Sequence, residues 1–371
     1  MNTIPTTFSE TIPAYTAVGG KENRATTGLS AVILNRTGRY SRRAFFQELE
    51  KIGFDRIISI ESSAERYDIE ELSGQFPHVR FILPNREINL GEKINLAAIE
   101  AESPLFFVLW NDLKFISGGT AARMAERLSY QDEKSENKDK YKRLCTVPLI
   151  LNSRYELLPT LTAPVTQRKR LKTILVEPKN EGLPTLYPHD GVGIYDRQRF
   201  INLCGFDTTL ANTHWQLMDF GFRAWLWGEK ISLSGQMKLS YDGQMPIVDS
   251  TVEESYRRFY LKNMMPIFRG EYARLPLFRF PGYMMKFKEG PIALWKEFSE
   301  CRQWVKANRS RWCKDVRALI SGWAKIAAAD IVAPAENTVP YASTVAPAVV
   351  AAAAEPPHPA AEQAPVQEQE G

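Results

Sequence analysis

Cysteine is scarce in this sequence, and its four occurrences lack the spacing of a metal or redox motif. Cys145, Cys204, Cys301 and Cys313 lie far apart, and no C-x-x-C pair occurs. Zinc-ribbon and dithiol redox proteins use such pairs, so the sequence disfavours both classes. We expect four free thiols, the usual state of cysteine in a reducing compartment.

Long apolar runs and glycine-rich nucleotide loops are also missing. No stretch of ~18 consecutive apolar residues occurs, so we expect no membrane-spanning helix. The first residues lack a basic region followed by an apolar run, and we therefore expect no secretory signal. No G-x-G-x-x-G motif follows a predicted strand, which disfavours a dinucleotide-dependent oxidoreductase.

Charge is distributed unevenly, although the net charge is only +4 over 371 residues. Residues 256–330 contain 16 Lys or Arg against 6 Asp or Glu, interleaved with Phe, Tyr, Trp and Met. Residues 331–371 contain no Lys or Arg, five Glu and many Ala and Pro. Such a segment cannot bury enough apolar surface to fold, so we predict a disordered tail over 331–371.

Predicted strands and helices alternate through the first third of the chain. Apolar runs predict strands at 29–34, 56–60, 79–83 and 105–109, and helical spacing fills the intervals between them. This βαβ spacing predicts an α/β fold with a parallel, doubly wound sheet. Later patterns predict strands at 144–151, 230–233 and 237–241 and helices at 121–127, 197–203 and 214–227.

These patterns divide the chain into four predicted parts. Residues 1–27, rich in Thr, Pro, Gly and Ser, form a mobile lead-in. Residues 28–250 form the α/β domain, with one half at 28–115 and a second at 144–250. A basic, aromatic and mainly helical extension over 251–330 and the tail complete the chain.

Polar groups follow the buried strand at 105–109. Asn111 and Asp112 stand just past its carboxyl end, where ligands bind in open α/β sheets. Hard oxygen ligands of this kind suit Mg²⁺ or Mn²⁺. The alternative is that both residues only cap the next turn.

An ordered series of motifs resembles the nucleotide-sugar glycosyltransferases of the GT-A, family-2 type. It spans about residues 30–233. The series comprises a first strand at 30–34, a second strand at 57–61 ending in an acid, Asn89-x-Gly91 with Asn95-x-Ala97, the 106–112 strand, Gly205-Phe206-Asp207 and the 215–228 helix. The resemblance implies a GT-A, Rossmann-like, mostly parallel sheet flanked by helices.

Two motifs depart from the family pattern. Trp110-Asn111-Asp112 stands where the family has D-x-D, so one carboxylate is lost. In the 215–228 helix only Asp219 and Arg223 of the family's E-D-x-D-L-x-x-R pattern remain, and the family's base would fall on Leu217. A non-catalytic protein that binds sugar nucleotides or glycans on the same scaffold is therefore the alternative.

The resemblance implies a donor site and an acceptor site. For the nucleotide-sugar donor it implies Asn35, Arg36, Glu61, Lys93, Asn111 and Asp112, with Asp112 holding Mn²⁺ or Mg²⁺. For the acceptor it implies His189, Asp190, Trp215 and Arg223, with Asp219 as the base that deprotonates the acceptor hydroxyl. Each residue also has a structural alternative. Glu61 would be a solvated acid in a turn, and Arg36, Lys93 and His189 would be exposed side chains. Trp215 would belong to the core, and Asp219 and Arg223 would form a structural ion pair on α-helical spacing.

The implied activity is transfer of a sugar from a nucleotide donor to a hydroxyl of a cell-surface glycan or glycolipid, with inversion. A nucleotidyltransferase would need a glycine-rich loop after the first strand, and Asn35-Arg36-Thr37-Gly38 is too poor in glycine. The basic, aromatic 256–330 segment suits an anionic membrane surface, where such an acceptor resides. Nucleic acid, which we do not expect as a partner, and a plain solvated subdomain are its alternatives. We expect a cytoplasmic protein. Association with the inner face of the cytoplasmic membrane is the second location that we consider.

Overall fold

The structure is a computed structural model that describes residues 4–20, 26–36, 42–62, 68–117, 119–133, 143–167, 170–241, 249–287 and 289–330. The tail predicted at 331–371 lies outside the described residues.

Strands and helices alternate through most of the described chain. The strands are β1 (Tyr15–Gly19), β2 (Leu29–Leu34), β3 (Ile57–Ile60), β4 (Val79–Pro84), β5 (Leu105–Trp110), β6 (Leu113–Ser117), β7 (Arg143–Leu151), β8 (Leu161–Gln167), β9 (Arg170–Val176), β10 (Gly193–Asp196), β11 (Lys230–Tyr241), β12 (Ile267–Phe268) and β13 (Ala273–Arg274). The helices are α1 (Arg42–Ile52), α2 (Ile69–Gln75), α3 (Leu90–Glu100), α4 (Ala121–Glu133), α5 (Arg197–Asn202), α6 (Thr213–Leu226), α7 (Glu254–Phe259), α8 (Phe280–Lys286), α9 (Pro291–Ala307) and α10 (Val316–Asp330).

Among the described residues, one sheet contains nine strands in the order β1-β4-β3-β2-β5-β10-β7-β11-β6. Strands β2, β3, β4, β5, β7 and β11 run in one direction, and β1, β6 and β10 run against them. The predicted fold class, a mostly parallel sheet flanked by helices with a helical C-terminal extension, is confirmed.

The strand order reverses its direction between β2 and β5. The chain passes from β2 to β3 and β4 on one side and then returns to β5 on the other side of β2. Leu34 and Trp110, the last residues of the two strands, face each other in the register. Ligands of open α/β sheets bind in the crevice outside such a reversal, so the fold marks this edge for a site.

Helices α3 and α6 begin side by side at this edge. Asn89 caps α3: its side chain accepts from the backbone N–H of Glu92, whose carboxylate accepts from that of Asn89. The side chain of Gln216, on α6, accepts from the backbone N–H of Gly91 at 2.9 Å and donates to Asn89 at 2.8 Å. Gln216 therefore joins the two helix starts.

The expectation of a mobile lead-in is wrong for residues 4–20. A 3₁₀ helix at Phe8–Thr11 buries Phe8, and Trp304 donates to the carbonyl of Pro5 at 3.1 Å. Strand β1 pairs antiparallel with β4 at the edge of the sheet. The polar composition of these residues suggested disorder. Composition alone does not show that a sheet edge, here β4, is available for pairing.

Other differences concern strands. The antiparallel pair β8–β9 and the strands β6 and β10 were not predicted. The strands predicted separately at 230–233 and 237–241 are one strand, β11, whose register against β7 shifts between Ser234 and Lys238. All of these are antiparallel or irregular pairings, which short apolar patterns do not specify.

The C-terminal extension packs onto the α/β domain through aromatic residues. The ring centroids of Trp227 and Trp304 are 5.9 Å apart, and those of Trp227 and Trp312 are 5.4 Å apart. The four cysteines, all in described segments, are free thiols as predicted. No helix in the described part of the chain is long and apolar enough to cross a membrane.

Gly221 is expected to be intolerant of a side chain, because a Cβ there would lie 2.3 Å from the backbone oxygen of Leu186. We expect Gly221→Ala to lower the free energy of unfolding by about 1–3 kcal/mol through overpacking. Gly322, in α10, has nothing within 4 Å of the added Cβ. Gly322→Ala is the matched control and should be neutral or stabilising by about 0.5–1 kcal/mol. Denaturant unfolding measures both, and equal effects would contradict this packing.

Candidate functional site

A cavity of about 590 Å³ lies at the carboxyl ends of β2 and β5. The starts of α3 and α6 and the loop before β10 form its other walls. It is lined by Arg36, Ile88, Asn89, Leu90, Lys93, Trp110, Tyr187, His189, Asp190, Ala211, Asn212, Thr213, His214, Leu217 and Asp249. Of the predicted site residues, Arg36, Lys93, His189 and Asp190 line it.

Arg36 occupies the centre of one wall. Its guanidinium carbon lies 3.9 Å from the centroid of the Trp110 ring, a cation–π contact. The same guanidinium forms ion pairs with Asp190 and, at 3.5 Å, with Asp112. The backbone N–H of Arg36 donates to the side chain of Asn111 at 3.0 Å. The predicted pair at the end of β5 therefore positions Arg36 directly beside the cavity.

Asp190 is held by several bonds in the loop before β10. Its backbone has φ 54°, and its carbonyl accepts from Trp110 Nε1 at 3.0 Å. Tyr241 donates to its carboxylate at 3.3 Å. Burial raises the pKa of Asp190, and the Arg36 guanidinium opposes that rise. The left-handed backbone is held in place by contacts to β5 and β11.

Lys93 adds a second cation to the same wall. Its amine lies 5.9 Å from the centroid of the Trp110 ring. Burial lowers the pKa of Lys93, with a further lowering from Arg36 that nearby Glu87 opposes. Two cations around one indole form a surface suited to an anionic ligand that also offers a flat face.

Two histidines line the opposite part of the cavity. Burial lowers the pKa of His189 to about 4, with a smaller contribution from Arg36. Burial also lowers the pKa of His214 to about 4, and Asp249 opposes this. Both are therefore neutral at pH 7. Within the described residues, Nε2 of His189 and Nδ1 of His214 have no hydrogen-bond partner.

Asp219, the predicted base, does not line the cavity. It is completely buried, paired with Arg223 at 3.1 Å and Lys262 at 2.9 Å, and it accepts from Asn263 at 2.8 Å. An acceptor hydroxyl cannot reach it while these bonds exist. Arg223 donates to the carbonyls of Leu203 and, at 2.7 Å, Gly205. Burial thus contradicts the roles predicted for Asp219 and Arg223 and supports the structural pair.

Five further predicted residues, Asn35, Glu61, Asn111, Asp112 and Trp215, also lie outside the cavity lining. Trp215 is buried, donates from Nε1 to the carbonyl of Thr251 at 2.7 Å and stacks on Phe259. Trp215 is thus a core residue, which was the alternative to its role in acceptor binding.

Glu61 and Asn35 bind within the protein at the ends of β3 and β2. Glu61 is buried with Arg42 at 3.0 Å and accepts from Ser59 at 2.6 Å. Asn35 donates to the carbonyl of Ile60 at 3.0 Å. The buried ion pair leaves Glu61 no exposed side-chain surface for a nucleotide base.

The sequence patterns missed several cavity residues. Asn89, His214 and Asp249 line the cavity, and so does Leu217, the position to which the motif resemblance assigned the base. The N-cap pattern of Asn212 could have signalled that His214 opens α6 at the cavity. Asp249 follows residues outside the described ranges, and no local pattern points to it.

The oxygen ligands suit a divalent metal. Asp112 and Asp190 both pair with the Arg36 guanidinium, so a metal held by both carboxylates would take the place of that guanidinium. Carboxylates with phosphate oxygens and water are the ligands that Mg²⁺ and Mn²⁺ prefer. Among the described residues no group of three His, Cys, Asp or Glu side chains could hold a metal ion by itself. The residues fit a metal that shares its coordination with a bound phosphate.

No protein-family model and no curated protein sequence matches the chain. Solved structures match parts of its shape. GalNAc-T7 with UDP, GalNAc and Mn²⁺ is 14% identical, with a TM-score of 0.49 over 80% of this chain and 57% of that chain. This chain thus spans little more than half the length of that protein.

Two further structures match at lower TM-scores. A mannosyltransferase, PcManGT from Pyrobaculum calidifontis, in complex with GDP-Man and Mn²⁺ is 9% identical, with a TM-score of 0.34 over 77% of this chain and 75% of that one. A putative glucose-1-phosphate thymidylyltransferase from Bacillus anthracis in complex with a sucrose is 14% identical, with a TM-score of 0.36 over 57% and 89%. Similarity at this level assigns no activity to this chain, whose fold rests on its own strand order.

The histidines make stability depend on pH. The folded pKa of about 4 for His189 and His214 lies below the ordinary 6.5, so between these values the unfolded chain binds more protons. Stability is therefore full above about pH 6.5 and falls as the pH drops towards 4. We expect His189→Gln and His214→Gln each to remove about 1–2 kcal/mol of the loss between pH 7 and pH 5. Unfolding curves parallel to those of the wild type would contradict this.

Lys262 neutralises two buried carboxylates, Asp219 and Asp207. We expect Lys262→Met to lower the free energy of unfolding by about 3–5 kcal/mol, because Asp207 would stay buried without its cation and Asp219 would keep only Arg223. Lys306→Met, at an exposed position of α9, is the control and should change it by less than about 0.5 kcal/mol. Urea denaturation measures both, and a loss below about 1 kcal/mol for Lys262→Met would refute the role of the network.

Proposed function

We propose that this protein is a glycosyltransferase that takes a sugar from a nucleotide-sugar donor. The observation that carries the proposal is the cavity at the β2–β5 edge, with Arg36 and Lys93 beside Trp110. A nucleoside diphosphate combines two anionic phosphates with a flat base, which matches that wall. The motif series across residues 30–233 supports the same class.

The donor's diphosphate binds Arg36 and Lys93. Both cations stabilise the negative charge that develops when the diphosphate leaves the anomeric carbon. Asn111 positions Arg36 through its backbone N–H. A divalent metal would be held by Asp112 and Asp190 and would supply Lewis-acid stabilisation of the leaving phosphate.

The acceptor hydroxyl binds on the α6 side of the cavity. Leu217 fills the family position of the base, and the buried Asp219 cannot replace it. His214 lies in the same wall with Asp249 nearby, and its neutral ring can take the proton. The hydroxyl oxygen attacks the anomeric carbon, the diphosphate departs, and the proton passes to His214. Attack opposite the leaving group gives inversion.

The acceptor we propose is a hydroxyl of a cell-surface glycan or glycolipid. The cavity is lined by both polar and apolar side chains, including Tyr187 and Leu217, which suits the edges and faces of a sugar ring. Tyr187, His189 and Asp190, which also line the cavity, would hold the ring. We propose a cytoplasmic site for the reaction, with access to the inner membrane face.

A non-catalytic binding protein on the same scaffold is the second candidate. It is favoured by one observation: a leucine, Leu217, lines the cavity where the family has its base. Both candidates bind sugar nucleotides, so binding alone does not separate them. Release of nucleoside diphosphate from the bound donor separates them.

Donor binding tests the shared part of the proposal. We expect at least one UDP-, GDP- or TDP-sugar with Mn²⁺ to raise the melting temperature. Arg36→Ala and Lys93→Ala should each weaken that donor at least about tenfold, since charged hydrogen bonds contribute about 1.5–3 kcal/mol. Lys306→Ala, distant from the cavity lining, is the control. Absence of a shift with every donor, or equal affinity in Arg36→Ala, would overturn the proposal.

Turnover separates the two candidates. Release of nucleoside diphosphate in the presence of sugar acceptors should fall at least about a hundredfold in His214→Gln, since general-base catalysis contributes about 10²–10⁴. Donor affinity should stay near that of the wild type. Donor binding with no release under any acceptor would favour the non-catalytic protein.

A further inference from the structure

Large apolar side chains are exposed together at one corner of the C-terminal extension. The side chains of Met285, Ile292 and Phe278 are 88%, 86% and 71% exposed, and Leu277 and Trp295 are exposed as well. We call these five residues the apolar corner. Exposed apolar residues that stand singly are normal, whereas a contiguous group marks an interaction site.

The local fold brings the five residues together. The 3₁₀ helix at Leu277–Arg279 runs directly into α8, and the short segment between α8 and α9 turns the chain back. Phe280, at the start of α8, packs against Trp295 of α9 with ring centroids 4.9 Å apart. Met285 lies in the last turn of α8 and Ile292 in the first turn of α9, so both flank the connection between the two helices. Ile292 and Trp295, three residues apart, share a face of α9.

The inner side of this helical hairpin is fixed to the core. Tyr283 is buried and donates to Glu297 at 2.7 Å. Phe298 is fully buried and makes edge contacts with Phe280. The hairpin therefore presents its apolar corner on a rigid support. Tyr283 and Phe298 pack on the inner side of the hairpin, so the apolar corner is a second apolar surface, on its outer side.

Cations surround the apolar corner. Arg279, Lys286 and Lys296 directly follow Phe278, Met285 and Trp295 in the chain. The amine of Lys286 lies 3.5 Å from the centroid of the Tyr260 ring and donates to the hydroxyl of Tyr256 at 2.9 Å. The acids of this hairpin are paired with arginines of α7: Glu289 and Glu297 with Arg257 at 3.2 and 3.1 Å, and Glu300 with Arg258 at 3.8 Å.

We propose that the apolar corner docks on an anionic lipid surface. Aliphatic and aromatic side chains with adjacent Lys and Arg are the composition of interfacial membrane-binding helices. The cations attract anionic headgroups while Met285 and Ile292 enter the boundary with the acyl chains. A second copy of the chain would bring the same positive charges face to face, which disfavours dimerisation through this corner. The proposal is independent of the proposed activity.

Vesicle binding tests this surface with the full chain. We expect co-sedimentation with vesicles of phosphatidylcholine and phosphatidylglycerol, and much weaker binding to phosphatidylcholine alone or at high salt. Met285→Glu combined with Ile292→Glu should weaken binding at least tenfold. Tyr155→Glu, a control at a side chain 69% exposed in the turn between β7 and β8, should bind like the wild type.

A second variant guards against misfolding of the first. Lys286→Gln combined with Lys296→Gln keeps the apolar side chains and should weaken binding to the anionic vesicles several-fold. Lys286 contacts Tyr256 and Tyr260, so this variant should melt slightly lower, whereas Lys296→Gln alone, at an exposed position, should weaken binding with an unchanged melting temperature. Wild-type protein that does not bind these vesicles, or binding that both double variants retain, would overturn the proposal. Dimerisation in analytical ultracentrifugation that Met285→Glu with Ile292→Glu abolishes would overturn it in favour of a second copy.

Discussion

The structure depends on one buried charge network between the α/β domain and its extension. Lys262, from the turn after α7, forms ion pairs with Asp207 at 2.6 Å and with Asp219 at 2.9 Å. Burial by itself would raise the pKa of Asp207, but the charge and hydrogen bond of Lys262 lower it to about 2. A buried carboxylate is costly unless it is paired, so α6 and the extension must fold together. That joint fold fixes α6, whose first turn lines the cavity.

Arg36 repeats the same arrangement, one cation between two carboxylates, at the cavity. The difference is burial: the Arg36 side chain is 25% exposed, whereas that of Lys262 is 1% exposed. The closed network has no coordination left for a ligand, and it contributes only to stability. The open one can exchange its partners for a phosphate or a metal, because its charges are still hydrated in part. Exposure, more than residue type, separates the structural group from the group suited to binding.

The extension therefore has two roles in this architecture. Its inner face supplies Lys262 and the aromatic residues that pack on Trp227. Its outer face carries the apolar corner on a hairpin whose core contacts are already made. The basic and aromatic residues of the extension thus belong partly to its inner face and partly to its outer face. The division at residue 250 remains a prediction, since apolar residues from both sides of it share one core.

The sequence alone determined the parallel half of the fold, because continuous apolar runs and helical spacing are local properties of β2 to β5 and their helices. It also marked Asn111, Asp112, Arg36 and Lys93, which follow strand ends or open a helix. Tertiary structure decided the rest. The antiparallel strands β1, β6 and β10 depend on partners distant in the chain. Whether Asp219 or His214 faces a ligand depends on which side of α6 the extension covers, and a motif contains no information on burial.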